Sequence, residues 1–374
     1  MSAIRRLILA DFRNYTQLDL ALDAPMIALC GENGAGKTNL LEAISLFSPG
    51  RGLRRDEFAA MVREGGARGF AVSVEMDGAH GPVQLGAGLD PQIEGARRCR
   101  IDRETVPSPT AFTEHCRILW LTPDSDSLFR GPAGDRRRFL DRLVLAIDST
   151  HGARVNALEK ALRSRNRLLE EPRPDGMWLD AVEREVAETA VAVAAARRET
   201  VQRLTAVIEA GHQEETPFPH AVLSLEGDLE AALENATALR TEEWYRQVLR
   251  DNRWRDQAAG RTLIGPNTSD LSVRHGPKDM PAAQSSTGEQ KALLIGLVLA
   301  HARLVRQMSG MAPIVLLDEV AAHLDPLRRA ALYGQLAGLG GQIWMTGTDR
   351  VLFEGLSADA MTIKADHGRL ARLS

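Results

Sequence analysis

The sequence predicts an α/β fold in which a split mixed sheet, with flanking helices and a β lobe, is interrupted by an inserted helical arm. Two short apolar runs, Met26–Leu29 and Ile314–Leu317, are typical of buried core strands and lie far apart in the chain. Between them, a long stretch carries apolar residues at helical spacing. We therefore predict one sheet-based head formed by residues 1–122 and 258–374, and a helical arm formed by residues 123–257.

The composition is that of a soluble globular protein, with 374 residues, of which 44% are hydrophobic and 26% are charged. The net charge of -4 argues against a protein whose whole surface coats nucleic acid, so any anion must bind at local basic patches. Three scattered cysteines without metal-ligand spacing predict reduced thiols in the cytoplasm. We predict no secretory signal, no membrane-spanning helix and no membrane partner.

A glycine-rich loop follows the first core strand and precedes a helical pattern. It matches G-x-x-x-x-G-K-S/T, the phosphate-binding loop, whose glycines let backbone N–H groups surround phosphate oxygens. Lys37 is predicted to reach the β- and γ-phosphates, and the Thr38 hydroxyl to bind Mg²⁺. The residues predicted to bind ATP are Gly31, Glu32, Asn33, Gly34, Ala35, Gly36, Lys37 and Thr38.

The region between residues 50 and 121 is broken by glycine and proline and contains short β-like pieces. These pieces are Phe70–Met76, Val83–Ala87 and Ile118–Leu121. We predict that they form a β lobe beside the nucleotide.

The arm begins after Pro123, where the apolar pattern becomes helical. Apolar residues recur at helical spacing from Phe139 to Leu169 and again, with heptad spacing, from Leu179 to Thr200. Because a Pro- and Gly-containing break separates these segments, we predict a short antiparallel helical hairpin. A strand at 221–225 and further helix at 229–255 are predicted to follow.

The second core strand ends in two acids, Asp318 and Glu319, as in a Walker B strand. A carboxylate at the carboxyl end of a buried strand beside a phosphate loop is suited to hold Mg²⁺, and we assign this role to Asp318. Glu319 is predicted to be the general base that polarises the attacking water, with Lys37 as the second catalytic residue.

Two further segments resemble those of the ATP-binding-cassette superfamily. Ala322–Asp325 resembles its D-loop, with Asp325 as the motif acid, and Ser286, Gly288 and Glu289 align with its signature, although Glu289 replaces glutamine. A serine hydroxyl, a glycine N–H and a helix N-terminus together form an anion-binding surface. The resemblance implies that this surface contacts the γ-phosphate held by a second subunit, in an ATP-dependent head-to-tail homodimer.

The chain resembles the RecF family along essentially its whole length. The resemblance is carried by F-R-N-Y at Phe12–Tyr15, by the block from Pro123 to Asp141, and by the block from Leu316 to Leu332. Three features depart from the family pattern: Gly265–Leu271 lacks a histidine and an arginine, no Q-loop glutamine follows the phosphate loop, and Thr346–Thr348 occupies the place of the switch histidine. The missing histidine predicts slow, switch-like hydrolysis.

The RecF resemblance implies an ATP-dependent DNA-binding protein of recombinational repair and replication. ATP-driven dimerisation would clamp double-stranded DNA near junctions with single-stranded DNA, and RecO and RecR would be partners in loading RecA at gaps. ATP hydrolysis would be weak, stimulated by DNA, and would reset the protein.

Basic clusters are the candidate DNA contacts, because arginine is suited to phosphate. The residues predicted to bind DNA are Arg51, Arg54, Arg55, Arg136, Arg137 and Arg138. Two other clusters lie at 97–103 and 163–167. Such runs are also typical of solvated protein faces, and that alternative stays open for each cluster.

Two other functions compete with this interpretation. One is the nucleotide-binding subunit of a transporter, which the predicted hairpin and the F-R-N-Y segment disfavour. The other is a scaffold that binds nucleotide without hydrolysing it, which Glu319 disfavours.

Overall fold

The computed structural model describes residues 2–90, 97–211 and 216–373. The first part of the chain forms β1 (Ala3–Phe12), β2 (Tyr15–Ala21), β3 (Met26–Cys30), α1 (Lys37–Ser45), β4 (Phe70–Gly78), β5 (Gly81–Leu89), β6 (Arg97–Ile101), β7 (Glu104–Val106) and β8 (Ile118–Leu121). The middle part forms α2 (Ala133–Ile147), α3 (His151–Leu169), α4 (Gly176–Gly211), β9 (Ala221–Glu226), α5 (Asp228–Asn235), α6 (Ala238–Asp251), α7 (Arg253–Ala259), β10 (Asp270–His275) and β11 (Met280–Pro281). The last part forms α8 (Thr287–Ser309), β12 (Ile314–Leu317), α9 (Pro326–Leu339), β13 (Ile343–Gly347), β14 (Met361–Asp366) and β15 (Arg369–Leu373).

These elements divide into two compact units. The first comprises Met1–Asp126, Gly211–Pro219 and Ser286–Ser374, and the second comprises Ser127–Ala210 and His220–Ser285. From the sequence, we predicted that the helical arm ends at residue 257 and that the head resumes at residue 258. In the structure, the chain stays in the second unit as far as Ser285. The physical reason is strand pairing, because β10 pairs with β9 within the second unit.

The core of the first unit is a mixed sheet in the order β15-β14-β3-β13-β12-β8. β3, β12 and β13 are buried along their whole length, as expected for parallel strands covered on both faces. The predicted strand at Ile118–Leu121 exists but does not belong to the β lobe. It pairs in parallel with β12, so it is an edge strand of the core sheet.

The β lobe is an antiparallel sheet in the order β2-β1-β4-β5-β6-β7. Burial alternates along its strands: Phe70, Val72 and Val74 of β4 are buried, whereas Ala71 is exposed. One face of this sheet therefore packs into the core of the first unit, and the other is left open to solvent.

The second unit contains the predicted helical hairpin, formed by α3 and α4. Leu158 and Leu162 of α3 share a buried apolar cluster with Val186 and Ala190 of α4. The segment 229–255, predicted to be helical, is divided into α5, α6 and the start of α7. A small sheet in the order β11-β10-β9 completes the unit.

Arg165 is a charged side chain that is fully buried in this unit, with an exposed fraction of 0%. Its guanidinium donates to Glu183 Oε1 at 3.0 Å, Asp256 Oδ2 at 2.7 Å and Thr262 Oγ1 at 2.8 Å. These bonds join α3 to α4 and α7. When a buried cation held by two carboxylates is removed, the carboxylates remain as uncompensated buried charges.

Replacement of Arg165 by alanine is therefore expected to lower the free energy of unfolding by about 3–5 kcal/mol. The matched control is Arg163→Ala, since the Arg163 side chain is 71% exposed and lies 3.6 Å from Glu159, a surface pair worth about 0.5 kcal/mol. Urea unfolding of both variants measures the difference. Equal losses in the two variants would contradict the structural role of Arg165.

One helix in the described part of the chain, α8, is long and apolar enough to span a membrane by length and composition alone. Within its apolar window, 67% is buried inside the protein. A core helix of a globular protein has this character.

Candidate functional site

The glycine-rich loop connects the carboxyl end of β3, an interior strand of the core sheet, to α1. Gly34 and Gly36 have φ values of 83° and 105°, a region that side-chain-bearing residues rarely adopt. A Cβ on Gly31 would lie 2.3 Å from the carbonyl oxygen of Ala365, so the loop also needs glycine for close packing against β14. Gly36 is the N-cap of α1 and no side chain caps this helix end, which favours an anion there.

Lys37 lies across this loop and is 4% exposed. Its ammonium donates to the carbonyl oxygens of Gly31 at 2.7 Å and Glu32 at 2.9 Å. An ammonium group has three donor hydrogens, so one remains for an oxygen in the loop. The loop therefore holds a cation close to backbone donors, the arrangement that phosphate requires.

The F-R-N-Y segment braces the loop, a role that the sequence did not reveal. The Asn14 side chain accepts from Asn39 Nδ2 at 2.8 Å, and the Tyr15 hydroxyl donates to the carbonyl oxygen of Gly36 at 3.1 Å. Arg13 forms two bonds, of 2.8 and 2.6 Å, with the buried carboxylate of Glu42 in α1. These contacts fix the orientation of α1 and hence of the loop.

Asp318 lies at the end of β12, 6% exposed, beside the phosphate loop. The Thr38 hydroxyl donates to its carboxylate, with distances of 2.9 and 3.0 Å to the two oxygens. Thr346 Oγ1 donates to Asp318 Oδ1 at 2.6 Å. This contact between residues that are 280 positions apart joins the two predicted motifs into one site.

These groups fit a magnesium ion. Burial raises the pKa of Asp318, and the hydroxyl bonds from Thr346 and Thr38 oppose that rise. A neighbouring cation would favour the ionised carboxylate further, since opposite charge stabilises it. Carboxylate and hydroxyl oxygens are ligands that Mg²⁺ accepts, and it binds through few protein groups when phosphates complete its shell. The described residues contain no cluster of three or more His, Cys, Asp or Glu side chains that could hold a metal ion.

Glu319 follows Asp318 in a left-handed conformation, with φ of 54°. Its backbone N–H donates to Thr346 Oγ1 at 2.9 Å. The same hydroxyl therefore contacts the carboxylate of Asp318, the predicted metal ligand, and the backbone of Glu319, the predicted general base. Strained conformations of non-glycine residues are concentrated at functional sites. Thr346 is a positioning residue that sequence reasoning noted only as a replacement for histidine.

Thr346→Val is expected to lower the rate of ATP hydrolysis about tenfold to a hundredfold, because Glu319 and Asp318 lose their shared orienting hydroxyl. The affinity for ATP is expected to change much less, since Lys37 and the loop stay intact. Thr346→Ser, which keeps the hydroxyl, should restore the rate. Steady-state hydrolysis and equilibrium ATP binding separate the two effects. Equal losses with valine and serine would contradict the positioning role.

The predicted signature and D-loop residues are helix caps in this structure. Ser286 and Glu289 form a capping box at the start of α8: Ser286 Oγ accepts from the N–H of Glu289 at 3.3 Å, and Glu289 Oε2 accepts from the N–H of Ser286 at 3.1 Å. Gly288 is exposed, and a Cβ there would meet nothing within 4 Å. Asp325 caps α9 through the N–H of Arg328 at 2.9 Å. Contact with a second subunit stays a prediction.

The predicted DNA-binding arginines largely have partners within their own units. Arg136 forms two bonds of 2.7 Å with Asp270, and Arg137 donates to the carbonyl oxygen of Ser269 at 2.7 Å. The remaining cluster members are placed as follows: Arg138 pairs with Asp135, Arg54 donates to Glu42 at 2.6 Å and Asn39 at 2.8 Å, Arg51 is exposed, and Arg55 is exposed with a φ of 62°. DNA contact by these six side chains stays a prediction.

Comparison with known proteins identifies relatives of this chain. The profile of the family described as "RecF/RecN/SMC N terminal domain" matches residues 3–366. "DNA replication and repair protein RecF" of Mesorhizobium japonicum is 54% identical over 366 residues, covering 98% of this chain and 96% of that protein. The protein of the same name from Rhizobium meliloti is 52% identical over 369 residues, covering 98% of each.

Solved structures share the fold. The structure described as the recombination mediator protein RecF-ATPrS in the RecFOR pathway has a TM-score of 0.87 at 21% identity, covering 100% of this chain and 98% of that one. The Smc head domain derived from Pyrococcus furiosus, bound to the C-terminal domain of ScpA, has a TM-score of 0.54 at 15% identity, covering 100% and 97%. The fold class predicted from the sequence, an ATP-binding-cassette-type head with an inserted arm, is confirmed by these matches.

Proposed function

Because this chain belongs to the RecF family, we propose that it is an ATP-binding ATPase of DNA replication and recombinational repair. Its affinity for DNA is controlled by ATP. The observation that carries the proposal is the contact of the phosphate-loop residue Thr38 with Asp318, which brings the two nucleotide motifs together. The relatives reported above are RecF and SMC-type proteins, so DNA repair is favoured over the transporter alternative.

Each step of the proposed ATP hydrolysis is assigned to particular residues of this chain. The loop Gly31–Thr38 binds the phosphates through backbone N–H groups, and the Lys37 ammonium neutralises part of their charge. Thr38 and Asp318 would hold Mg²⁺, which would supply positive charge to the nucleotide phosphates. Glu319 accepts a proton from the attacking water. Thr346 keeps both acids in place.

A second copy of the chain completes the site. The exposed start of α8, with Ser286, Gly288 and Glu289, offers a helix N-terminus and a small backbone-accessible surface to an anion. In the proposed head-to-tail dimer this surface of each chain contacts the γ-phosphate bound by the other. Since the switch-histidine position holds a threonine, hydrolysis is slow, stimulated by DNA, and serves to release the dimer.

The partners follow from the family. The dimer clamps double-stranded DNA near its junctions with single-stranded DNA and acts with RecO and RecR in loading RecA at gaps. The proposed location is the cytoplasm, where DNA is found and where the three buried free cysteines would stay reduced.

The proposal is tested by measuring the affinity of the full-length protein for a fluorescent duplex that carries a single-stranded extension. Affinity is expected to rise when ATP and Mg²⁺ are present, and to fall again with ADP. The same measurement with a fully single-stranded probe serves as the comparison. An affinity that does not respond to ATP would contradict the proposed control.

A further inference from the structure

The arginines of β6 point to two different sides of the β lobe. Arg97 is turned inward, where its guanidinium donates to the carbonyl oxygen of Leu46 at 2.8 Å and lies 5.5 Å from the centre of the Phe58 ring. Cys99 is buried on the same side. Because side chains alternate along a strand, Arg98 and Arg100 lie on the opposite, outer face. The basic cluster noted in the sequence is thus divided, and only part of it reaches solvent.

A cavity of about 460 Å³ lies on this outer face, lined by residues of β4, β5, β6 and the turn after β6. Its arginines are Arg98, Arg100 and Arg103. In the sheet, Arg98 stands opposite Gly88 and Arg100 stands opposite Gly86 on the neighbouring strand. The two glycines leave the backbone of β5 uncovered beside the guanidinium groups, and we call the surface formed by Gly86, Arg98, Arg100 and Arg103 the trough.

The two glycines differ in what a side chain would meet. A Cβ on Gly88 would lie 2.5 Å from the carbonyl oxygen of Phe70, so packing within the sheet explains that glycine. A Cβ on Gly86 would meet only the Cβ of Arg100, at an ordinary 3.5 Å. Glycine weakens a strand, and inside a strand it often marks a bulge, a bend, or a place where a ligand or another backbone approaches closely. Gly86 therefore keeps the trough open.

Arg103 is held beside the trough at a conformational cost. It is the second residue of the two-residue turn between β6 and β7, and both Asp102 and Arg103 have positive φ, 48° and 72°. Glycine or asparagine is the usual choice for such positions. The presence of Asp102 at a position with positive φ is explained by its carboxylate, which accepts from the N–H of Gln84 at 2.9 Å. No such contact explains Arg103.

The charges of the trough are largely uncompensated. Arg98 pairs with Asp90 at 2.5 Å. In the described part of the chain, the side chains of Arg100 and Arg103 form no ion pair and no hydrogen bond, and both residues are exposed. This contrasts with Arg136, Arg137 and Arg138, whose guanidinium groups are already engaged.

We infer that this trough, formed by Gly86, Arg98, Arg100 and Arg103, binds the phosphodiester backbone of DNA. The inference rests on the proposed function and names a surface for it. Residues two apart on a strand are about 6.6 Å apart, comparable to the spacing of successive phosphates along a DNA strand. Arginine matches phosphate in charge and geometry.

The trough suits phosphates rather than bases. Among the residues that the structure describes, no exposed aromatic ring lines it, because Phe70 is 5% exposed and faces the core. Base stacking, which needs accessible rings, is therefore not supported. Binding here is independent of sequence and sensitive to salt, since each phosphate contact releases a counterion.

The test measures the affinity of the full-length protein for a fluorescent duplex over a series of salt concentrations. Arg100→Ala/Arg103→Ala is expected to weaken binding several-fold for every duplex sequence and to reduce the salt slope by about 2, since each phosphate contact contributes about 0.9. Gly86→Val, which fills the trough but keeps all charges, is expected to weaken binding without lowering the midpoint of thermal unfolding, because valine favours strands. Arg372→Ala is the matched control, a strand arginine that is 63% exposed and paired with Asp23.

Failure of this inference is distinguishable from failure of the proposed function. If the wild-type protein shows no ATP-dependent DNA binding, the proposed function fails. If the wild-type protein binds but the double variant and Gly86→Val keep its affinity and salt slope, the trough is not a DNA surface. That result would overturn the inference and leave the trough to another anionic partner, such as an acidic peptide.

Discussion

Replacing Lys37 by alanine is expected to abolish ATP-dependent dimerisation while the fold is retained. The structure places the ammonium across the phosphate loop, on the carbonyl oxygens of Gly31 and Glu32. Charge-assisted hydrogen bonds contribute about 1.5–3 kcal/mol each, so the loss of the one phosphate contact open to this ammonium predicts an ATP affinity lower by about 10- to 100-fold. Equilibrium binding of a fluorescent ATP analogue and sedimentation with ATP and Mg²⁺ measure the two effects.

The control for this variant is Lys160→Ala, which removes an exposed lysine of the arm. It is expected to bind ATP and dimerise like the wild type. Lys37→Arg keeps the charge but not the compact ammonium, and it is also expected to lose dimerisation. A Lys37→Ala protein that dimerises with ATP as the wild type does would contradict the assignment of the loop.

Glu319→Gln is expected to slow hydrolysis by about 10²–10⁴-fold and to trap an ATP-bound dimer. Glutamine has the shape of glutamate but cannot accept the proton of the attacking water. The backbone N–H of residue 319 would keep its bond to Thr346 Oγ1, so the local geometry survives. Single-turnover hydrolysis and size-exclusion chromatography with ATP measure the rate and the trapped dimer.

The same variant distinguishes a hydrolysing protein from a nucleotide-binding scaffold. In a scaffold, Glu319→Gln would change neither the lifetime of the dimer nor the release of DNA. Glu354→Gln, an exposed glutamate outside the site, is the control that should behave like the wild type. An unchanged hydrolysis rate in Glu319→Gln would remove Glu319 from the proposed chemistry.

The sequence predicted the nucleotide motifs because each is a local pattern. The loop from Gly31 to Thr38 and the strand ending at Asp318 are short runs in which every position has a physical purpose. Their meeting through Thr38 and Asp318 follows once both strands are placed in one parallel sheet. The hairpin of α3 and α4 was also predictable, because helical periodicity extends over many residues.

Features that depend on distant partners were not predictable in this way. Ile118–Leu121 was recognised as a strand, but a short apolar run does not reveal which sheet it joins. A run of arginines likewise does not reveal which of them find carboxylates: Arg136 pairs with Asp270, 134 residues away. The outward position of Arg100 could be anticipated from strand alternation only after the register of β6 was known.

Thr346 illustrates a third limit. In the sequence, Thr346 is only a departure from the family pattern. In the structure, its hydroxyl donates to the Asp318 carboxylate and accepts from the backbone N–H of Glu319. A single hydroxyl at the end of β13 carries no pattern that distinguishes it from any buried threonine. Only the placement of β13 next to β12 brings it to the acids.

The central claim is that two copies of this chain close around ATP and thereby hold DNA. Sedimentation of the full-length protein with duplex DNA, at two salt concentrations and with or without ATP and Mg²⁺, tests it most directly. We expect a monomer without nucleotide, and a dimer with ATP that binds the duplex more tightly, most clearly in Glu319→Gln. A protein that stays monomeric with ATP and Mg²⁺, and binds duplex no more tightly than without them, would contradict the claim.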